Sequence, residues 1–166
     1  MIHLVLGPVG AGKSTYATEL ARANDAVRLT LDEWMAELFS PDRPDHDLVG
    51  WYRERAARCV ARIFATARAI VHTGTAAVLE IGLLDATSRR QFHTQVRAAG
   101  IALEVHVVEA SREVRRARVE ARNRERGETF AMVVPPAIFE LASDMWEPVA
   151  PEELAGATVH RVSTDR

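Results

Sequence analysis

Residues 7 to 14 read GPVGAGKS and match Gly-x-x-x-x-Gly-Lys-Ser/Thr in full. IHLVL, residues 2 to 6, is a short apolar run before them, and KSTYATELARA, residues 13 to 23, is a run of helix formers after them. Strand, glycine turn, helix is the context in which this motif cradles phosphates. Glycines let successive backbone N–H groups turn inward, and the helix N-terminus adds the positive end of its dipole. The pattern assigns nucleotide binding to Gly7, Pro8, Val9, Gly10, Ala11, Gly12, Lys13, Ser14 and Thr15. Lys13 would reach the β/γ-phosphates, Ser14 would give its hydroxyl to Mg²⁺, and Thr15 would lie near the α-phosphate. The alternative is a glycine turn that only packs a helix on a strand. The dinucleotide pattern Gly-x-Gly-x-x-Gly does not fit, because Gly10 and Gly12 are followed by Lys13, Ser14 and Thr15.

Lys13 is set apart by composition as well. The 21 basic residues are 20 arginines and this one lysine. An ammonium is a compact point charge and a guanidinium a broad planar fork, so the two are not interchangeable at a phosphate. The same count excludes a GTPase, whose guanine specifier Asn-Lys-x-Asp needs a second lysine.

Outward from the loop, apolar runs alternate with helical patterns. VRLTL at 27 to 31 reads as a second strand and DEWMAELF as a short helix, stopped by Ser40, Pro41 and Pro44. A long helix is expected from about 48 to 73, with Val60, Ile63, Phe64, Ala67, Ile70 and Val71 on one face. AVLEIG at 77 to 82 is a third strand, followed by a helix over 87 to 100 with Ser or Thr at its start. IALEVHVVEA at 101 to 110 is a fourth strand, a charged helix covers 112 to 126, another helix lies near 135 to 145, and ATVHRVST at 157 to 164 reads as a weaker fifth strand. This alternation predicts an α/β architecture with a mostly parallel sheet and helices on both faces. Ligands in such sheets bind outside the carboxyl ends of the strands, which puts Gly7, Asp32, Glu80 and Glu109 along one rim.

The 166 residues fit one domain, and the net charge of −2 with interspersed acids and bases argues against nucleic acid or an anionic membrane as partner. No apolar stretch approaches the roughly 20 residues of a membrane span. The single cysteine, Cys59, falls inside a helical pattern and fits a reducing cytoplasmic compartment. His3, His46, His72, His93, His106 and His160 are scattered without CxxC or HExxH partners and are expected to be structural or surface residues.

GPVGAGKST, LDEWMAELFSPDRPD, VLEIG, RVEARNRERGETF and WEPV together resemble small P-loop kinases of the gluconate kinase, chloramphenicol phosphotransferase and zeta-toxin type, a group often described as AAA-family ATPases. The resemblance spans roughly residues 2 to 150. It implies a three-layer P-loop NTPase fold, a five-stranded sheet ordered 2-3-1-4-5, an acceptor site past strand two, an arginine-bearing lid over about 112 to 130, and phosphorylation of small-molecule hydroxyls with ATP and Mg²⁺.

On that resemblance Asp32 matches the carboxylate that accepts the proton of the attacking hydroxyl; alternatively it is only the N-cap of the next helix. Glu33 reads as a first-turn acid favoured by the helix dipole. Glu80 stands where the group usually carries a metal-side aspartate, and its alternative is a buried acid paired with an arginine. Independently of any family, Arg53 lies about 20° from the direction of Val60 on the long helix and could bind an anionic or polyhydroxyl acceptor. A salt bridge with Asp32, Asp45 or Asp47 is the other reading. Arg55, Arg58 and Arg62 fall near the opposite, solvated side. Arg115, Arg118, Arg122 and Arg126 form one stripe, either a solvated face supported by pairs such as Glu120 with Arg124 or a lid over the transferring phosphoryl. Arg118 and Arg122 match the resemblance best.

The expected activity is therefore transfer of the ATP γ-phosphoryl to a small-molecule hydroxyl. An ATP-binding regulator with slow hydrolysis and a polynucleotide 5′-hydroxyl kinase are the competing readings. Acceptor identity rests on residues 40 to 55, a loop of three acids and two prolines leading into the long helix. Oligomeric state is not legible in the sequence.

Overall fold

The computed structural model describes residues 1–127, 130 and 132–165. Five parallel strands, β1 (Ile2–Leu6), β2 (Val27–Thr30), β3 (Ala77–Glu80), β4 (Leu103–Glu109) and β5 (Thr158–Ser163), form one sheet in the order β2-β3-β1-β4-β5. The helices are α1 (Lys13–Ala23), α2 (Leu31–Leu38), α3 (Leu48–His72), α4 (Ala86–Ala98), α5 (Arg112–Glu125) and α6 (Pro136–Asp144). Architecture and strand order are those expected. Among the described residues no helix is long and apolar enough to cross a membrane.

Strands buried on both faces carry apolar side chains both ways, which is why they read as continuous apolar runs. Ile2, Leu4 and Leu6 of β1, with Leu79, Val105 and Val107, face the larger core formed with Ile63, Phe92 and Val96 of α3 and α4. Val5, Val78 and Val108 face the other way, onto Ala17 and Ala21 of α1. The small α1 residues let that helix lie close against the sheet. Cys59 is buried in the α3 interface, as its helical spacing suggested.

Two boundaries differ from the sequence reading. β2 ends at Thr30, and Leu31 already belongs to α2, so the helix starts one residue early and its N-cap is Thr30. The α4 N-cap is Asp85, whose carboxylate accepts from the Ser88 N–H at 2.8 Å. An aspartate caps as well as a serine does, and its charge also meets the helix dipole.

The segment after α6 is tied back by a buried ion pair that periodicity does not reveal. Arg89, fully buried on α4, forms a two-point pair with Glu153, donates to the Leu84 carbonyl at 2.9 Å, and lies 5.2 Å over the Trp146 ring. Glu147 closes the same join: its N–H donates to Leu84 O at 3.0 Å and its carboxylate accepts from the Ala86 N–H at 2.8 Å. WEPV thus braces the loop that leaves the tip of β3.

Candidate active site

The loop of residues 7–12 follows β1 and opens α1 at the carboxyl rim. Gly7 (φ +151°), Gly10 (φ +79°) and Gly12 (φ +90°) all hold positive φ. At Gly7 the requirement is also steric, since a Cβ would stand 2.2 Å from the Val108 carbonyl oxygen. The first N–H groups of α1 have no partner inside the helix and stay available to an anion. Lys13 lies in the same cradle, with Nζ donating to the Pro8 carbonyl at 3.1 Å.

Ser14 Oγ donates to Glu80 Oε1 at 3.0 Å. Glu80 is buried at the tip of β3, beside β1 and paired in register with Thr30 of β2. Its second oxygen, Oε2, is buried without a hydrogen-bond partner, and Arg28 Nη1 is 3.8 Å away. Burial pushes the Glu80 carboxyl above its ordinary value; Lys13 opposes this, Asp32 adds to it, and the Ser14 bond and Arg28 oppose it. An orphaned carboxylate oxygen next to a hydroxyl suits a hard divalent cation with oxygen ligands. The fit for Mg²⁺ at Ser14 and Glu80 is therefore good. Arg28 supplies the arginine of the alternative reading, but its main partner is Glu33.

Asp32 lies in the first turn of α2, exposed, two residues beyond the cap position held by Thr30. A pure capping role is thereby removed. Its charge is felt at Glu80 and at the Tyr52 hydroxyl of α3, which burial and then Asp32 push upward. Arg53 is exposed, and no ion pair involves it among the described residues. The buried stripe of α3 is Cys59, Ile63 and Ala67, centred on Ile63 rather than Val60. At 100° per residue Arg53 stands about 80° from that centre, so it borders the core instead of facing it. Arg55 also departs from expectation: it lies 4.7 Å over the Trp51 ring and 6.0 Å from the Phe39 ring centroid, joining α3 to the end of α2.

The arginine stripe of α5 divides into different jobs. Arg115 is buried and donates to Val9 O and Ser143 Oγ, both at 3.0 Å, and to Ala110 O at 3.2 Å. It clamps the phosphate loop to α6. Arg118 Nη1 donates to Thr164 Oγ1 at 2.9 Å, and that hydroxyl donates to Ala11 O at 2.8 Å. Arg122 has a buried Nε without a partner. Arg126 is the α5 C-cap in the left-handed region (φ +49°). The ion pairs of α5 cross to α6, where Glu140 takes both Arg112 and Arg116, rather than running along α5 from Glu120 to Arg124. Asn123 grips Val134, donating to its carbonyl at 2.7 Å and accepting from its N–H at 3.1 Å. Residues 128 and 129 of the expected lid lie outside the described residues.

Sequence reading placed Arg115 in the α5 stripe but not its hold on the loop, and missed Thr164 and Arg28. Local spacing carries no signal for the first two, whose loop contacts bridge 106 and 153 residues of chain. Arg28 was within reach, as the one charge inside an otherwise uncharged strand.

Residues 2–137 match the AAA domain family. The chain belongs to that family. This AAA domain superposes on a candidate kinase from Chloroflexus aurantiacus with a TM-score of 0.74 at 21% identity, covering 98% of this chain and 84% of that one. Kti12 from Chaetomium thermophilum, solved with ADP-AlF3, gives 0.76 at 14% identity over 99% and 90% of the two chains. A gluconokinase from Sinorhizobium meliloti 1021 gives 0.56 at 15% identity over 99% and 82%. At these identities the likeness is one of fold, and the fold is that of P-loop kinases. No curated protein matches the sequence.

Proposed function

We propose that this AAA domain is an ATP-dependent phosphotransferase that moves the γ-phosphoryl of ATP to a hydroxyl of a small molecule. The observation that carries the reading is Asp32. It is an exposed carboxylate without an ion-pair partner among the described residues, on the rim that also bears the phosphate loop, and near enough to Glu80 to raise its pKa. A domain that only bound nucleotide would have no use for a free base there.

In this reading the loop backbone and Lys13 hold the β- and γ-phosphates. Ser14 and Glu80 hold Mg²⁺, which when bound neutralises charge on the phosphate oxygens. Asp32 accepts the acceptor's hydroxyl proton as its oxygen attacks phosphorus, and the β–γ bridging oxygen leaves with ADP. Arg53, above this rim, binds the acceptor. Arg122, and Arg118 once it leaves Thr164, meet the charge developing on the phosphoryl. Residues 1–166 form one domain, with a lid over about 112–130 that excludes water from the transfer.

The bond from Arg118 to Thr164 favours one second reading. An arginine already bound to Thr164 beside Gly12, rather than free for a phosphoryl group, suits an ATP-binding regulator that hydrolyses slowly. Single-turnover reactions with γ-labelled ATP against sugars, nucleosides, antibiotics and oligonucleotides decide between them. Label on a small-molecule alcohol is the expected result. Label passing only to water would overturn the kinase reading in favour of the regulator, and label on oligonucleotide 5′ ends would replace the small-molecule acceptor.

A further inference from the structure

Three of the scattered histidines meet on one face of the sheet, behind the phosphate loop. His3 of β1, Glu104 and His106 of β4, and His160 of β5 lie on adjacent parallel strands, with His3 opposite Glu104 and His106 opposite His160 in register. Alternation turns these side chains to the face covered by α1, where the Tyr16 hydroxyl lies 2.8 Å from His106 Nδ1. The three ligand atoms form a compact triangle. His3 Nδ1 is 3.3 Å from His106 Nε2 and 3.6 Å from Glu104 Oε2, and His106 Nε2 is 4.0 Å from the same oxygen. His160 Nε2 lies 3.3 Å from that oxygen too, and its ring stacks on His106 at 4.7 Å.

We propose that His3 Nδ1, His106 Nε2 and Glu104 Oε2 form a binding site for a borderline transition-metal dication such as Zn²⁺, with His160 or water at the fourth position. A tetrahedral centre with bonds of about 2.0–2.2 Å separates its ligands by roughly 3.3–3.6 Å, close to the triangle observed. Two imidazoles and a carboxylate select Zn²⁺ or Co²⁺ over Mg²⁺ and Ca²⁺. Burial first, then neighbouring histidines, hold His106 neutral, its pKa lowered to about 4, and burial lowers His3 as well. Neutral imidazoles bind metal without first losing a proton. With Nε2 on the metal, His106 Nδ1–H donates to the Tyr16 oxygen, an outer-shell bond of the kind that fixes a ligand's tautomer. Glu104 has only histidines as ion-pair partners among the described residues, so a cation at this point completes its charge. His3 and Val5, the register partner of His106, precede Gly7 by four and two residues, about 13 and 7 Å of strand, so this site lies behind the phosphate loop rather than in it. Its effect would be to fasten the exposed edge strand β5 to β4 and β1.

The test uses the tag-free full chain with excess Mg²⁺ to occupy the loop site. Titration calorimetry with Zn²⁺ should show one site per chain, Co²⁺ should give an intense tetrahedral spectrum that Zn²⁺ bleaches, and Zn²⁺ should raise the melting temperature. Because His106→Ala endangers the core, the main variant is Glu104→Gln, on a half-exposed residue, with its fold checked by circular dichroism. Glu104→Gln should weaken Zn²⁺ at least tenfold and abolish the melting shift, and Tyr16→Phe should weaken it about 10–100-fold. Glu80→Gln should leave it unchanged. Absence of Zn²⁺ binding by the unmodified chain, wild-type binding by Glu104→Gln, or loss of binding in Glu80→Gln would each overturn the proposal.

Discussion

On the phosphate side of the rim, each part of the loop is held by something distant in sequence. Gly7 lies against Val108, Val9 is bound by Arg115, Ala11 by Thr164, and Ser14 by Glu80. On the side proposed for the acceptor, Asp32 and Arg53 are exposed, and of residues 40–47 only Pro44 is partly covered. A triphosphate is the same in every cycle, so a stiff backbone cradle serves it well. An acceptor is recognised by side chains, and in the proposed reading those around Asp32 would gain their remaining partners from the molecule that binds. The phosphate half is thus readable as a completed device, and the acceptor half as one half of an interface.

The largest effect should come from stiffening the phosphate half where it has no room. Gly7→Ala places a methyl group on the Val108 carbonyl at a backbone angle that favours glycine. A stability loss on the order of 3 kcal/mol is expected in chemical denaturation, with nucleotide binding lost in equilibrium dialysis. Asp32→Asn tests the other half alone. Transfer to the acceptor should fall about 10²–10⁴-fold while the ATP dissociation constant stays within a few-fold; unchanged transfer would remove Asp32 from the chemistry. Arg122→Ala should lower kcat about 10²–10³-fold with little change in ground-state nucleotide affinity, measured by pre-steady-state kinetics.

Glu80→Gln is expected to move stability and function in opposite directions. A carboxyl whose pKa is raised by folding stabilises the fold below its ordinary range and loses that contribution as pH rises through the raised value. The metal-free protein should therefore lose stability as pH climbs out of the carboxylate range, and Glu80→Gln should melt a few degrees higher at neutral pH. The same variant should need about 10–100-fold more Mg²⁺ for half-maximal activity. The smallest effect belongs to Arg53→Ala, a rise of a few-fold to about tenfold in acceptor KM with kcat preserved, since an exposed ionic contact contributes about 1 kcal/mol.

Order of elements, sheet topology and the phosphate loop are legible in this sequence because local patterns carry them: apolar runs of strand length, helical periodicity, and glycines at fixed offsets. Glu80 is legible by position, an acid at a strand's carboxyl end, and Asp32 as an acid two residues past another. What local spacing does not hold is pairing across the chain. Arg115, Arg118, Arg122 and Arg126 look equivalent on a helical wheel, yet one is buried under the loop, one holds Thr164, one keeps an unpartnered Nε, and one ends the helix. The same limit hides the histidine group, whose members come together only when strands far apart in sequence are laid in register.

The edge strand β5 is mostly exposed along its length, and Thr164, immediately after it, carries one hydroxyl that serves both Ala11 and Arg118. Edge strands open locally at a lower free energy than a domain unfolds. Each such opening would release the Ala11 carbonyl and the Arg118 guanidinium in the same event. Amide exchange in β5 then becomes a gauge of the nucleotide site: a bound phosphate that recruits Arg118 should speed exchange near Thr164, even as it slows exchange in the loop itself.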